Sequence, residues 1–307
     1  MNENYNIYIH IGFHRTGSTF LQTEFFPVIP NSNCIDQFEI IDELVALTTT
    51  DEFIWKNTNI KDVTIKSIED KLDVTKINII SAEALSGYPF IKSVNRSLIL
   101  NRIKNIFPEA KIILGIRSQD KLIQSFYSLY IREGGTLKLN ELLEKQKKGY
   151  FGYSIYDSLI ETIDLEALNY SLVLRQLYGL FDKKDVYVFL LEELKNSSKA
   201  ITNLSDFFNV KITIESKKKV NAKFPDNALI WIRLINILTR GFKSKSKIRH
   251  LQKGYINKLI SKLVYKSVHN INISYEININ EYFKEDNKKL IELLPQYKEY
   301  IQNFNKQ

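Results

Sequence analysis

Apolar and polar positions fall into two distinct rhythms along the chain. Ile7, Ile9 and Ile11 alternate with Tyr8 and His10, which predicts a strand over Ile7–Ile11. Ile77–Ser81, Lys111–Ile116 and Val186–Leu191 read as further strands. Continuous apolar character in three of the four suits a parallel sheet covered on both faces. Between them, spacing of three and four predicts helices over Arg96–Phe107, Gln119–Glu133, Leu165–Phe181 and Ser198–Phe208. The polar run Asp182-Lys183-Lys184-Asp185 turns the chain into the fourth strand. Past about residue 225 the pattern is helical only, over Asp226–Thr239, Leu251–Val268 and Tyr282–Phe304. This order predicts an α/β fold, with a central parallel sheet flanked by helices in three layers, right-handed crossovers and C-terminal helical additions. No repeat or long linker divides it, so the expectation is one domain. Its core spans residues 1–210, and a basic, mainly helical part spans 211–307.

In open α/β sheets the ligand sits at the carboxyl ends of the strands. After the first strand, Gly12 to Thr19 reads G-F-H-R-T-G-S-T. This is P-loop spacing with Ser18 where a nucleotide triphosphatase carries its phosphate-gripping lysine. The cation within the loop is Arg15. Gly12 and Gly17 allow a tight turn, Ser18 and Thr19 are placed to cap a helix, and Phe20, Leu21, Glu24 and Phe25 have helical spacing. Strand, glycine turn and helix start make an anion cradle of N–H groups and helix dipole. After the second strand comes Ser81-Ala82-Glu83-Ala84-Leu85-Ser86. After the third comes Arg117-Ser118-Gln119-Asp120, then a helix bearing Ser125. A carboxylate, an arginine and a serine therefore converge on the edge that holds the loop.

Composition bounds the rest. At 307 residues, 44% hydrophobic and 12% aromatic, the chain has ample material for a core. Cys34 is the one cysteine, which excludes an intramolecular disulfide framework and points to a reducing, cytoplasmic setting. The first residues lack the basic start and apolar stretch of a secretion signal, and no run is long enough to cross a bilayer. The net charge of +8 is uneven. Lys217, Lys218, Lys219, Lys223, Arg233, Arg240, Lys243, Lys245, Lys247, Arg249 and Lys253 carry much of it. Such a surface suits anionic partners, and it offers a face for peripheral membrane contact; a merely solvated basic face is the plainer reading. Without an identifiable recognition motif, nucleic acid is not an expected partner. Tyr150, Phe151, Tyr153 and Tyr156 form an aromatic group suited either to stacking on a sugar or sterol face or to core packing.

These residues resemble the sulfotransferases that use 3′-phosphoadenosine 5′-phosphosulfate (PAPS). The family's 5′-phosphosulfate loop commonly opens P-K-[ST]-G-[ST]-T after a first strand. The corresponding positions here are His14-Arg15-Thr16-Gly17-Ser18-Thr19, followed by Phe20-Leu21-Gln22. The family's 3′-phosphate motif is an Arg at a strand end and a Ser eight residues on, the spacing of Arg117 and Ser125. The stretch Tyr178–Leu194 is similar to the family's helix, strand and E-D-L segment. The resemblance covers roughly residues 5–210. It implies a P-loop-like fold, PAPS as donor, 3′,5′-adenosine bisphosphate (PAP) as product and no metal requirement. Thr16, Gly17, Ser18 and Thr19, with Arg15, would hold the 5′-phosphate, while Arg117 and Ser125 would hold the 3′-phosphate. Arg15 replaces the family's lysine and His14 its proline; a planar, longer guanidinium is not a neutral swap for an ammonium.

Sulfuryl transfer, like phosphoryl transfer, depends on positioning and charge stabilisation. The acceptor hydroxyl needs a base, and Glu83 is the candidate, with His14 and His10 as the others; a capping or salt-bridged carboxylate is the competing reading of Glu83, and a core role that of His10. The expected acceptor is a hydroxyl of a glycan or glycolipid. A sterol or other small alcohol, a P-loop small-molecule kinase activity, and a non-catalytic nucleotide- or acidic-polymer-binding relative remain open alternatives.

Overall fold

The computed structural model describes residues 5–87, 95–144, 163, 165–196, 198–212, 226–240 and 277–304. The aromatic group at Tyr150–Tyr156, the predicted helix Leu251–Val268, and the basic runs from Lys217 to Lys223 and from Lys243 to Lys253 lie outside these residues.

Five strands form the sheet: β1 (Asn6–His10), β2 (Ser32–Asp36), β3 (Ile77–Ser81), β4 (Lys111–Ile116) and β5 (Val186–Leu190). They lie in the order β2-β3-β1-β4-β5 and every pairing is parallel. The helices are α1 (Ser18–Phe20), α2 (Ile41–Thr49), α3 (Glu52–Asn57), α4 (Ile60–Glu69), α5 (Arg96–Ile106), α6 (Gln119–Arg132), α7 (Leu139–Glu144), α8 (Tyr170–Leu180), α9 (Leu191–Asn196), α10 (Ser198–Phe207), α11 (Asp226–Arg240), α12 (Ile279–Tyr282), α13 (Lys284–Leu293) and α14 (Lys298–Phe304).

The period-two geometry of the strands explains their nearly unbroken apolar sequences. Ile7, Ile9, Ile80, Ile112, Leu114, Ile116, Val188 and Leu190 face one core with α5, α6, α8 and the C-terminal helices. Tyr8, Ile79, Ile113 and Phe189 point the other way, against Leu21, Phe25, Phe26, Leu204 and Phe208. Both faces are covered, so alternate positions are all apolar. A strand such as Ile112–Leu114, essentially without exposure, is stabilised by roughly 1.5–3 kcal/mol per buried side chain.

Three expectations are corrected. β2 is an additional edge strand, with Ile35 its buried residue. The segment predicted as one helix over Leu165–Phe181 is a 3-10 turn at Glu166–Leu168 followed by α8, broken at Asn169. The predicted Tyr282–Phe304 helix is split into α12, α13, a 3-10 turn at Pro295–Tyr297, and α14. Pro295 has no N–H to give the helix and its ring collides with the preceding turn. Among the described residues, no helix is long and apolar enough to cross a membrane.

The chain runs β1 to β3 on one side of β1 and then crosses to β4 on the other. The crevice at the carboxyl end of β1 is therefore the switch point where open α/β sheets receive ligands.

Candidate functional site

The segment Gly12–Thr19 leaves β1 at this switch point. Ile11 N–H donates to the Ile113 carbonyl (3.0 Å) and Ala82 N–H to the His10 carbonyl (3.1 Å), so β1 is tied to β4 and β3 right up to the loop. Two residues of the loop have left-handed backbone, Arg15 at φ 71° and Gly17 at φ 110°. A Cβ on Gly17 would also lie 3.0 Å from Leu191 Cδ1 at the start of α9. A non-glycine residue held at positive φ costs on the order of 1–2 kcal/mol, and such strain concentrates at ligand sites.

Thr16 is fully buried and its hydroxyl donates to the Phe13 carbonyl (2.6 Å), closing the loop on itself. The expected capping by Ser18 and Thr19 is corrected. Gly17 occupies the N-cap without a side-chain bond, and both hydroxyl residues lie inside the helix. Leu21 N–H to Gly17 O closes the first helical bond. The N–H groups of Ser18, Thr19 and Phe20 precede it and have no intrahelical partner. Ser18 Oγ is buried with no hydrogen-bond partner, and Thr19 is exposed. The chain then passes from α1 into a π-helical turn over Leu21–Phe25.

The two sequence motifs meet in space. Arg15 Nε donates to Ser125 Oγ on α6 (2.9 Å), and Arg117 donates from a terminal nitrogen to the Arg15 carbonyl (3.1 Å). Burial pushes the Arg15 guanidinium below its usual range and the charge of Arg132 pushes the same way, while Glu83 opposes both. Arg117 is likewise pushed down, chiefly by burial, with the Glu192 charge opposing. Its Nε is buried and without a hydrogen-bond partner. Two desolvated arginines at one strand edge form a strongly electropositive spot, because charges out of water interact more strongly.

Glu83 sits at the first position of the 3-10 turn after β3, with its side chain 23% exposed. Its Oε2 lies 4.0 Å from His14 Nε2. Burial lowers the His14 pKa, and Glu83 partly counters it. Carboxylate, imidazole and guanidinium thus share one wall of the crevice. His10 is buried within β1, and burial pushes its pKa down to about 3. Among the described residues, no three His, Cys, Asp or Glu side chains are grouped as a metal ion would need.

Several contributors carry no sequence motif. Tyr170 OH donates to the Arg117 carbonyl (2.9 Å). Its ring packs edge-on against Phe13, with centroids 5.0 Å apart, and burial raises its pKa. Asp286, on the distant α13, accepts from Tyr170 N–H (3.0 Å), Ser171 N–H (3.1 Å) and Ser171 Oγ (2.6 Å). This carboxylate caps α8, whose own N-cap residue Asn169 turns its side-chain amide to Glu166 (2.7 Å) and makes no capping bond. Glu192 Oε1 accepts from Ser118 N–H (3.3 Å) beside Arg117. The hint available in sequence is that an acidic residue suits a helix N-terminus; which helix depends on tertiary packing.

No protein-family model and no curated protein matches this chain. Among solved structures it is similar to a sulfotransferase from Alicyclobacillus acidocaldarius. That chain is 15% identical with a TM-score of 0.48, and the match covers 80% of this chain and 99% of that one. It is also similar to the sulfotransferase domain from the curacin biosynthetic pathway, 12% identical with a TM-score of 0.39, over 88% of this chain and 100% of that domain.

Proposed function

We propose that this protein transfers the sulfuryl group of PAPS to a hydroxyl of a glycan or glycolipid. One observation carries the reading. Arg15 of the loop and Arg117–Ser125 of the second motif, about a hundred residues apart in the chain, are linked by hydrogen bonds of 2.9 and 3.1 Å at one strand edge. Adjoining anion sites suit a nucleotide with one phosphate on the 5′ and another on the 3′ oxygen.

In this reading the loop N–H groups and Arg15 hold the 5′-phosphosulfate, and Arg117 with Ser125 holds the 3′-phosphate. Glu83 takes the proton from the acceptor hydroxyl as its oxygen bonds to sulfur. The bond from sulfur to the bridging oxygen breaks, and PAP leaves with the electron pair. Arg15 meets the charge that grows on that oxygen, which is where fixed positive charge lowers a barrier. His14, 4.0 Å from Glu83, helps fix the carboxylate. The loop has Ser18 where a kinase would carry its lysine, and this favours sulfuryl over phosphoryl transfer.

The test is thermal stabilisation by PAP and by Mg-ATP, followed by incubation with PAPS and a panel of saccharides, glycolipids and sterols. Stabilisation by PAP with sulfation of a saccharide or glycolipid is expected. Mg-ATP binding tighter than PAP would favour a kinase, and PAP binding without transfer to any acceptor would favour a non-catalytic relative.

A further inference from the structure

His10 Nδ1 lies 2.8 Å from Ser81 Oγ, and Gln22 Nε2 lies 2.9 Å from the same oxygen. Gln22 Nε2 also reaches the Ser81 carbonyl at 3.5 Å. A carbonyl only accepts, so the amide presents its NH2 group to Ser81 and donates to Oγ. The Ser81 hydrogen then goes to His10 Nδ1, the one acceptor that the described residues bring to that hydroxyl. Were Nδ1 the donor instead, the Ser81 hydrogen would be buried and unused, at the full cost of its lost hydration. His10 therefore carries its proton on Nε2. That nitrogen is buried with no hydrogen-bond partner, on a residue with no measurable exposure.

The orphan donor lies close beneath the loop. A Cβ built on Gly12 would lie 2.5 Å from His10 Nε2, so the ring edge occupies the space beneath the loop's first residue. Phe26 and Phe189 flank the imidazole, with ring centroids 5.7 and 6.5 Å away, and bring no polar atom to it. Buried N–H groups without partners are rare, and one beneath an anion loop calls for a partner that arrives with the ligand.

We propose that His10 is a binding residue of the loop, whose Nε2–H donates to an oxygen of the 5′-phosphoryl group held between Gly12 and Thr19. The proposal rests on the anion-binding reading of that loop. It assigns the Ser81–Gln22 pair a role as well: they select the tautomer, as the second partner of an imidazole generally does. An N–H on an uncharged ring behaves as one more loop amide. Burial pushes its pKa down to about 3, so the ring is uncharged at neutral pH.

Nitrogen-15 labelling of the four histidines tests this directly, with His10→Gln identifying the resonance. His10 is expected as the Nε2–H tautomer between about pH 5 and pH 8. Titration with inorganic pyrophosphate, and separately with PAP, should move the Nε2–H signal with the midpoint of the thermal stabilisation. His10→Leu should weaken pyrophosphate binding on the order of tenfold, and His10→Gln, which keeps an N–H, should recover part of that loss. If His10→Leu does not fold, the wild-type spectra decide alone. An Nδ1–H tautomer, or a signal unmoved at saturating anion, overturns the proposal and leaves Nε2–H facing only an internal water. If neither probe binds the wild-type protein, the reading of the loop falls and this inference with it.

Discussion

Replacing Arg117 by Met should abolish recognition of a 3′-phosphate while leaving the rest of nucleotide binding in place. The guanidinium is largely buried, its Nε has no partner, and one terminal nitrogen is engaged by the Arg15 carbonyl at 3.1 Å. A phosphate arriving there can take Nε and the remaining terminal nitrogen. Charge-assisted hydrogen bonds of this kind contribute about 1.5–3 kcal/mol each. Part of that gain offsets dehydration of the phosphate, so a net loss of about 3 kcal/mol is expected for Arg117→Met. That is on the order of a 100-fold rise in the Kd of PAP. Calorimetric titration of wild-type and variant with PAP and with 5′-AMP separates the effect. The variant should bind 5′-AMP within about twofold of wild type, because that ligand has nothing to offer Arg117. Equal losses for both nucleotides would mean that Arg117 supports the Gly12–Thr19 loop through the Arg15 carbonyl alone, and the 3′-phosphate assignment would be wrong.

The same geometry fixes other outcomes. Glu83→Gln should lower kcat on the order of 10²–10⁴-fold with PAP affinity unchanged, as single-turnover transfer and titration would show. Arg15→Lys keeps the charge but loses the Nε bond to Ser125; transfer within about tenfold of wild type is expected, against a loss above about 100-fold for Arg15→Met. Asp286→Ala leaves two buried N–H groups and a hydroxyl without their acceptor, and denaturant unfolding should show a loss of about 2–4 kcal/mol. His10 gives a pH signature. Its folded pKa of about 3 lies below the unfolded value of 6.5, so the unfolded chain binds the extra proton. Its stabilisation is complete above about pH 6.5 and is lost as pH falls, at up to about 1.4 kcal/mol per pH unit, and His10→Gln should remove that slope from stability curves between about pH 6 and pH 4.

The sheet was legible where burial on both faces makes every position apolar, as at Ile112-Ile113-Leu114. β2 carries no such apolar signal, because Ser32, Asn33, Cys34 and Asp36 belong to an edge strand, whose pairing with β3 comes from backbone bonds. The helices of residues 41–69 were hidden for another reason. Ile41, Val45, Phe53 and Ile54 are exposed, and apolar residues on the solvent side erase the contrast that defines a helical stripe. Pro295 is a stop legible in the sequence, and it falls inside the apolar spacing that runs over Tyr282–Phe304. At the site, the loop was visible because its glycine spacing after a strand is a local pattern, and the Arg117–Ser125 pair because its spacing resembles a sulfotransferase motif. The bond from Arg15 to Ser125, the Tyr170 bond to Arg117, the Asp286 cap and the His10–Ser81–Gln22 network span distant parts of the chain, and single-sequence periodicity holds no record of such contacts.

The most direct measurement traces labelled sulfur from PAPS into an acceptor. On a saccharide or glycolipid panel, the protein should place the label on an acceptor hydroxyl and release an equal amount of PAP, with Arg15→Met and Glu83→Gln both suppressing transfer. Folded wild-type protein that transfers no label to any acceptor, and gains no stability from PAP, would contradict the account.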